Sequence, residues 1–214
     1  MKNPGFVFLA LLMTISSPFV AMGLPDDREL RENDLGAAEE AQRLNNEGAL
    51  LAKQSGFLEA IQSFQGAIRL MPDFAPAYYN LGLAQRNLND FGKARAAFQS
   101  AVEFAPDYGE AWYQLGRVYE LEEQFEEAAR HFEKALEVSL EGPGLRYHLG
   151  IVSLRLKNWA DVIEHWEVLL QAYPEHPGVP DIQEALPRAF YNLGTTRQQT
   201  GQLEAAVAAF EKAI

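Results

Sequence analysis

The chain has 214 residues, 18 Lys plus Arg against 30 Asp plus Glu, a formal net charge of −12 and no cysteine. That length holds one sizeable domain or an array, and the acidity argues against a nucleic-acid partner, whose binding depends on positive charge meeting phosphate. The absence of cysteine excludes disulfides, thiolate metal sites and a cysteine nucleophile.

The N-terminus opens with Lys2 and an apolar stretch, 5–15, too short to span a bilayer. Residues 16–23 then end in the small residues Ala21 and Gly23. This is the layout of a secretory signal peptide over 1–23, with cleavage after Gly23. It predicts a secreted or periplasmic protein with no integral membrane span once cleaved. Residues 24–40 form an acidic leader without a clear apolar stripe, expected to turn helical near Asp34, whose side chain can cap the following amides.

From residue 41 a 34-residue period governs the chain: Gly48, Gly82, Gly116 and Gly150 fall in step, and Gly194 follows after an insertion. A fixed period of this length signals a stacked helical array. The repeats run 41–74, 75–108, 109–142 and 143–176, then an insertion at 177–186 and an incomplete repeat at 187–214. Each reads as two helices; in the second repeat these are 76–87 and 91–104, stopped by Pro106. Pro72 and Pro174 stop the corresponding helices, and Gly142-Pro143-Gly144 breaks the third repeat. Glycine inside a helix costs about 1 kcal/mol against alanine, so its recurrence needs a compensating close approach. Ala60, Ala94, Ala128 and Ala206 supply small residues on the second helix, and Phe64, Phe98, Phe132, Trp166 and Phe210 supply the large ones.

With Trp112, Leu115-Gly116, Tyr119, Ala128, Phe132 and Ala135 in one repeat, and Tyr78, Leu81-Gly82, Ala94, Phe98, Ala101 and Pro106 in the one before, the chain resembles the tetratricopeptide repeat family from 41 to 214. The resemblance implies an all-α, right-handed superhelical solenoid of helix-turn-helix hairpins, with partners held in the concave groove of the first helices. It implies no particular chemistry, because the fold carries many functions. The fourth repeat departs most: Arg146, Ser153, Val162 and Leu169 replace aromatic or small residues, which predicts splayed helices and a change of path at the insertion. The last hairpin lacks a terminating proline and a polar cap. That leaves a candidate surface for self-association, or a junction to further chain.

The helical wheel separates a packing side from a free one. With Tyr79 at zero, Leu83, Arg86 and Asn87 lie within about 80° of it, while Tyr78, Leu81, Ala84, Gln85 and Leu88 lie opposite. Tyr79, Tyr113, Tyr147 and Tyr191 then line the groove, preceded by Asn45. Beside them run Asn46, Asn80, Gln114, His148 and Asn192, followed by the row Ala49, Leu83, Arg117, Ile151 and Thr195. Lys53, Arg86, Arg117 and Arg155 make the groove locally basic, with Arg188 nearby and Glu110 and Glu120 as counter-charges. Such a face suits an extended peptide, with amides bonding its backbone, tyrosines packing its side chains and arginines pairing its carboxylates. The carboxylate clamp of chaperone-binding members is not matched, since Tyr79 and Tyr113 stand where lysine-like groups would be required.

Glu122, Glu123, Glu126, Glu127, Glu133 and Glu137 form an acidic outer face that reads as solvated. No phosphate loop, zinc-binding helix or nucleophile elbow occurs. His148 and His165 are placed to face each other within one hairpin, but His131, His148, His165 and His176 lack metal-ligand spacing. The sequence therefore predicts a non-enzymatic protein- or peptide-binding scaffold with no cofactor and no metal. The alternative is the regulatory N-terminal part of a larger enzyme or secretion machine.

Overall fold

The computed structural model describes residues 27–138 and 140–214; the signal-peptide assignment falls outside them. Among the described residues the chain forms helices and no strand: α1 (Asp27–Lys53), α2 (Phe57–Leu70), α3 (Ala75–Asn87), α4 (Phe91–Phe104), α5 (Gly109–Leu121), α6 (Phe125–Glu137), α7 (Pro143–Arg155), α8 (Trp159–Ala172), α9 (Val179–Gln199) and α10 (Leu203–Lys212). They pack as hairpins, α1 with α2 through α9 with α10, and each second helix rests on the first helix of the next hairpin. First helices also touch one another, α1 with α3, α3 with α5 and α5 with α7, whereas second helices have no comparable mutual contact. The first helices therefore form the inner layer of a curved all-α solenoid.

Each hairpin turns through the same device. Ser55, Asn89, Glu123 and Lys157 all adopt a positive φ of 58–64°, and Gly201 does so at 79°. The amide of the next residue bonds back five positions, as in Gly56 to Leu51 at 2.9 Å, Asp90 to Gln85 at 3.0 Å and Gln124 to Tyr119 at 2.9 Å. This is the Schellman closure, which satisfies carbonyls left open at a helix end. Four non-glycine residues accept the left-handed conformation because the hairpin on either side fixes them there.

Within each hairpin the mid-helix glycine lies tight against an aromatic residue of the second helix. A Cβ at Gly82 would sit 2.7 Å from Phe98 Cε1, and one at Gly116 would sit 2.6 Å from Phe132 Cδ1. Gly48 meets Phe64 and Gly194 meets Phe210 in the same way, and at Gly150 the Trp166 indole comes closest of all. Phe64, Phe98, Phe132 and Trp166 are fully buried as a result. Burying such a ring contributes about 1.5–3 kcal/mol, more than the roughly 1 kcal/mol that glycine costs its helix. Between hairpins, the Tyr78 hydroxyl donates to the Pro72 carbonyl at 3.1 Å and Trp112 Nε1 donates to that of Pro106 at 2.8 Å. Arg146 occupies the matching place in the fourth repeat and turns instead toward His165 Nδ1, 3.3 Å away, and Glu141.

Several boundaries differ from the sequence expectation. α1 already runs from Asp27, ahead of Asp34, through Arg28, Glu29, Leu30, Arg31 and Glu32, all good helix formers. Of the inserted residues, 179–186 supply the opening turns of α9, and Pro187, expected to start the last repeat, lies inside that helix. Ile182 from those turns is buried with Val162, Trp166 and Leu169 of α8, and this packing outweighs the hydrogen bond that proline removes. The α7–α8 contact is looser than those of α3–α4 and α5–α6, and the contact between successive inner helices does not continue at the same strength from α7 to α9.

Replacing Gly116 with Leu is expected to destabilise the fold by about 1–3 kcal/mol or more through overpacking against Phe132. Gly92→Ala, where nothing lies within 4 Å, should be neutral or gain up to about 1 kcal/mol. Urea denaturation of the two variants checks this, and equal midpoints would contradict the wedge.

Candidate functional site

The inner layer brings most of the sequence-selected residues onto one strip of α3 and α5. Tyr79 and Tyr113 are half-buried, their rings resting on the hairpin wedges: Tyr79 lies 6.0 Å from Phe98, and Tyr113 lies 5.7 Å from Phe132. Tyr79 also packs 5.0 Å from Tyr108. Burial pushes the Tyr79 hydroxyl up from its ordinary value and that of Tyr108 up to about 12. Both therefore remain neutral phenols able to donate. Leu83, read from the wheel as free for a ligand, is partly buried against the α4–α5 core, since α5 overlaps that part of α3.

Polar bridges link consecutive inner helices. Asn80 Nδ2 donates to Asn45 Oδ1 at 2.9 Å, joining α1 to α3. Arg86 donates to the Gln114 side-chain oxygen, joining α3 to α5. His148 Nδ1 lies 2.9 Å from Glu120 Oε2, joining α5 to α7. The last two bridges share an offset of 28 residues, so one position late in a first helix reaches one early in the next. Sequence reasoning named all four of these residues but not their pairing. The recurring offset was the available signal.

Charge along the strip is uneven. Arg117 Nε lies 3.2 Å from Glu120 Oε2, and Arg117 Nη1 donates to the Tyr113 hydroxyl at 3.3 Å. Glu120 is thus shared by Arg117 and His148. Arg86 has no ion pair among the described residues. Burial first, then the neighbouring Arg117 cation, act against its charge and draw its pKa below the ordinary value, with Tyr79 and Tyr113 opposing.

Other sequence-selected residues lie elsewhere. Asn46 is exposed and bonds to Gln42 within α1 at 2.9 Å, leaving the bridging role to the buried Asn45. A one-residue step on a helix turns a side chain by about 100°, enough to take Asn46 off the strip. Lys53 is exposed at the end of α1. Arg155 places its guanidinium over the Phe125 ring, 6.0 Å from the centroid, at the start of an outer helix. Tyr147 is covered by the turn before α9, with His176 5.4 Å away and Gly178 against its edge. Tyr191 is exposed and lines an open apolar hollow of about 760 Å³ with Pro187, Phe210 and Ile214. His148 and His165 do not face each other: His148 stacks on Phe132 and packs against Tyr113 and the edge of Tyr147, while His165 meets Arg146.

The outer acidic face is partly neutralised. Glu122 pairs with Arg95 at 2.6 Å, Glu137 with Lys134 at 2.7 Å, and Glu127 with Arg130. Glu123, Glu126 and Glu133 remain exposed.

Two family models match the chain. That of the tetratricopeptide repeat protein 21 C-terminal ARM domain covers residues 51–186, and a tetratricopeptide repeat model covers 187–214. Comparison with curated protein sequences gives no match. Among similar solved structures, YrrB, described as a TPR protein with an unusual peptide-binding site, gives a TM-score of 0.60 at 23% identity over 87% of this chain and 89% of that one. MamA from Desulfovibrio magneticus RS-1, from its residue 41 onward, gives 0.59 at 19% identity over 81% and 93%. The first TPR of Spaghetti (RPAP3), bound to the HSP90 peptide SRMEEVD, gives 0.54 at 24% identity over 56% and 94%. At these identities the likeness carries the fold.

The Glu120–His148 bridge should couple α5 to α7 energetically. A cycle of Glu120→Ala, His148→Ala and the double variant is expected to show about 0.5–3 kcal/mol of coupling in denaturant unfolding. Strict additivity would show that the bridge contributes nothing.

Proposed function

The chain belongs to the tetratricopeptide repeat family, and from that premise we propose that it is a non-enzymatic, exported scaffold that holds an extended segment of a partner protein along its inner face. One observation carries this reading. In a protein of net charge −12, the inner strip of α3 and α5 gathers tyrosine hydroxyls, amide side chains and two arginines, partly exposed and tied together across hairpins. Tyrosine offers a large contact area with few rotatable bonds, and amides bond a peptide backbone without demanding one sequence. The bridges hold these groups in place beforehand, which lowers the ordering cost of binding.

The solved relatives described as peptide-bound or as carrying a peptide-binding site support the class of ligand. Export rests on the N-terminal sequence, with its apolar stretch and small residues before Leu24.

Affinity capture from an extract of the native cells tests the proposal. Tyr79→Ala/Tyr113→Ala is expected to lose a partner that the wild type retains, with folding checked by circular dichroism. The outer-face variant Glu126→Lys/Glu133→Lys should keep that partner. Loss from the outer-face variant alone would place recognition on the second helices and contradict the proposal.

A further inference from the structure

Arg86 is a cation that the inner strip leaves uncompensated. Its neighbour Arg117 has Glu120, but among the described residues Arg86 has only the neutral oxygen of Gln114. It is partly buried, and both its desolvation and the Arg117 cation disfavour its charge. A guanidinium does not shed its proton in a protein, so the unfavourable charge persists in the unliganded protein. An arriving anion would relieve it and accept the fork of N–H groups that Gln114 does not use.

The surroundings limit which anion. Arg117 is already largely neutralised by Glu120, and the exposed Glu110 acts on the same Tyr79. Arg117 and Glu120 offset each other, which leaves the single positive unit of Arg86 facing the ligand, with Glu110 nearby to repel further negative charge. That matches a monovalent carboxylate better than a doubly charged phosphate.

We propose that the groove selects partner segments bearing a carboxylate, which docks on the Arg86 guanidinium beside Tyr79 and Gln114. This assignment rests on the peptide-groove reading above and gives that groove its ligand chemistry. The carboxylate belongs either to an Asp or Glu side chain or to a chain end.

A random dodecamer display library selected on the wild type, on Arg86→Gln, on Gln114→Glu and on Tyr79→Ala/Tyr113→Ala tests the assignment. The wild type is expected to enrich peptides with an acidic residue at one fixed place. Arg86→Gln should keep the other preferences, lose the acidic one, and bind the synthetic wild-type peptide about tenfold more weakly. Gln114→Glu supplies the carboxylate from within: it should melt at a higher temperature than the wild type and also lose the acidic preference. Replacing the acid of the peptide by its amide should then cost the wild type about tenfold and cost Arg86→Gln almost nothing. Free-acid and C-terminally amidated versions of each peptide assign the carboxylate to the chain end or to a side chain, and either result supports the proposal. Groove-dependent peptides without an acidic preference, or an acidic preference that survives both Arg86→Gln and Gln114→Glu, would overturn the Arg86 site and leave the groove standing. No enriched peptides, or the same peptides enriched on Tyr79→Ala/Tyr113→Ala, would overturn the groove reading and the Arg86 assignment with it.

Discussion

Everything in this molecule depends on the wedge of an aromatic ring against a bare helix backbone. Where Phe98 presses on Gly82 and Phe132 on Gly116 there is no room for a single methyl group. Close packing of this kind fixes the depth at which the two helices of a hairpin meet. Repeated along the chain, a fixed depth brings successive first helices within reach of one another while second helices stay apart. The inner face that carries the candidate site is thus a consequence of the wedge, even though no wedge residue is proposed to touch a ligand.

The division between inner and outer helices is also a division of electrostatic character. Outer glutamates are exposed or pair with nearby cations at the surface, where such pairs contribute at most about 1 kcal/mol and mostly favour solubility. Inner polar groups are buried or half-buried and bridge hairpins, as Asn45 does with Asn80 and Glu120 with His148. In that less hydrated setting each bond matters more, and so does each missing partner. Arg86 has the weakest partnership on the strip, which is why the ligand chemistry is assigned there.

The architecture was legible because it is periodic. The 34-residue spacing of glycine and the opposed aromatic residues are one-dimensional signals, and α3 and α4 fall within a residue of the expected 76–87 and 91–104. What depends on contacts between repeats was harder to see. Choosing between Asn45 and Asn46 requires the rotation of α1 relative to α3, which the sequence of α1 alone does not contain. Tyr147 shares its position with Tyr79, yet the turn before α9 covers it, an effect of the insertion rather than of the repeat. Arg155 was read with the groove cations, but the end of α7 carries it over Phe125. Pro187 reads as a helix start because proline favours first turns; the apolar packing of Ile182 on α8 overrides that preference.

The central claim is that recognition occurs on the inner layer. Its most direct test is a two-dimensional amide NMR titration of the isotope-labelled protein with its best-binding peptide. The account predicts shift changes concentrated at Tyr79, Asn80, Arg86, Tyr113, Gln114 and Arg117, with the outer helices α4 and α6 unmoved on their solvent side. Changes confined to the outer helices, or to the apolar hollow around Tyr191 and Phe210, would contradict it.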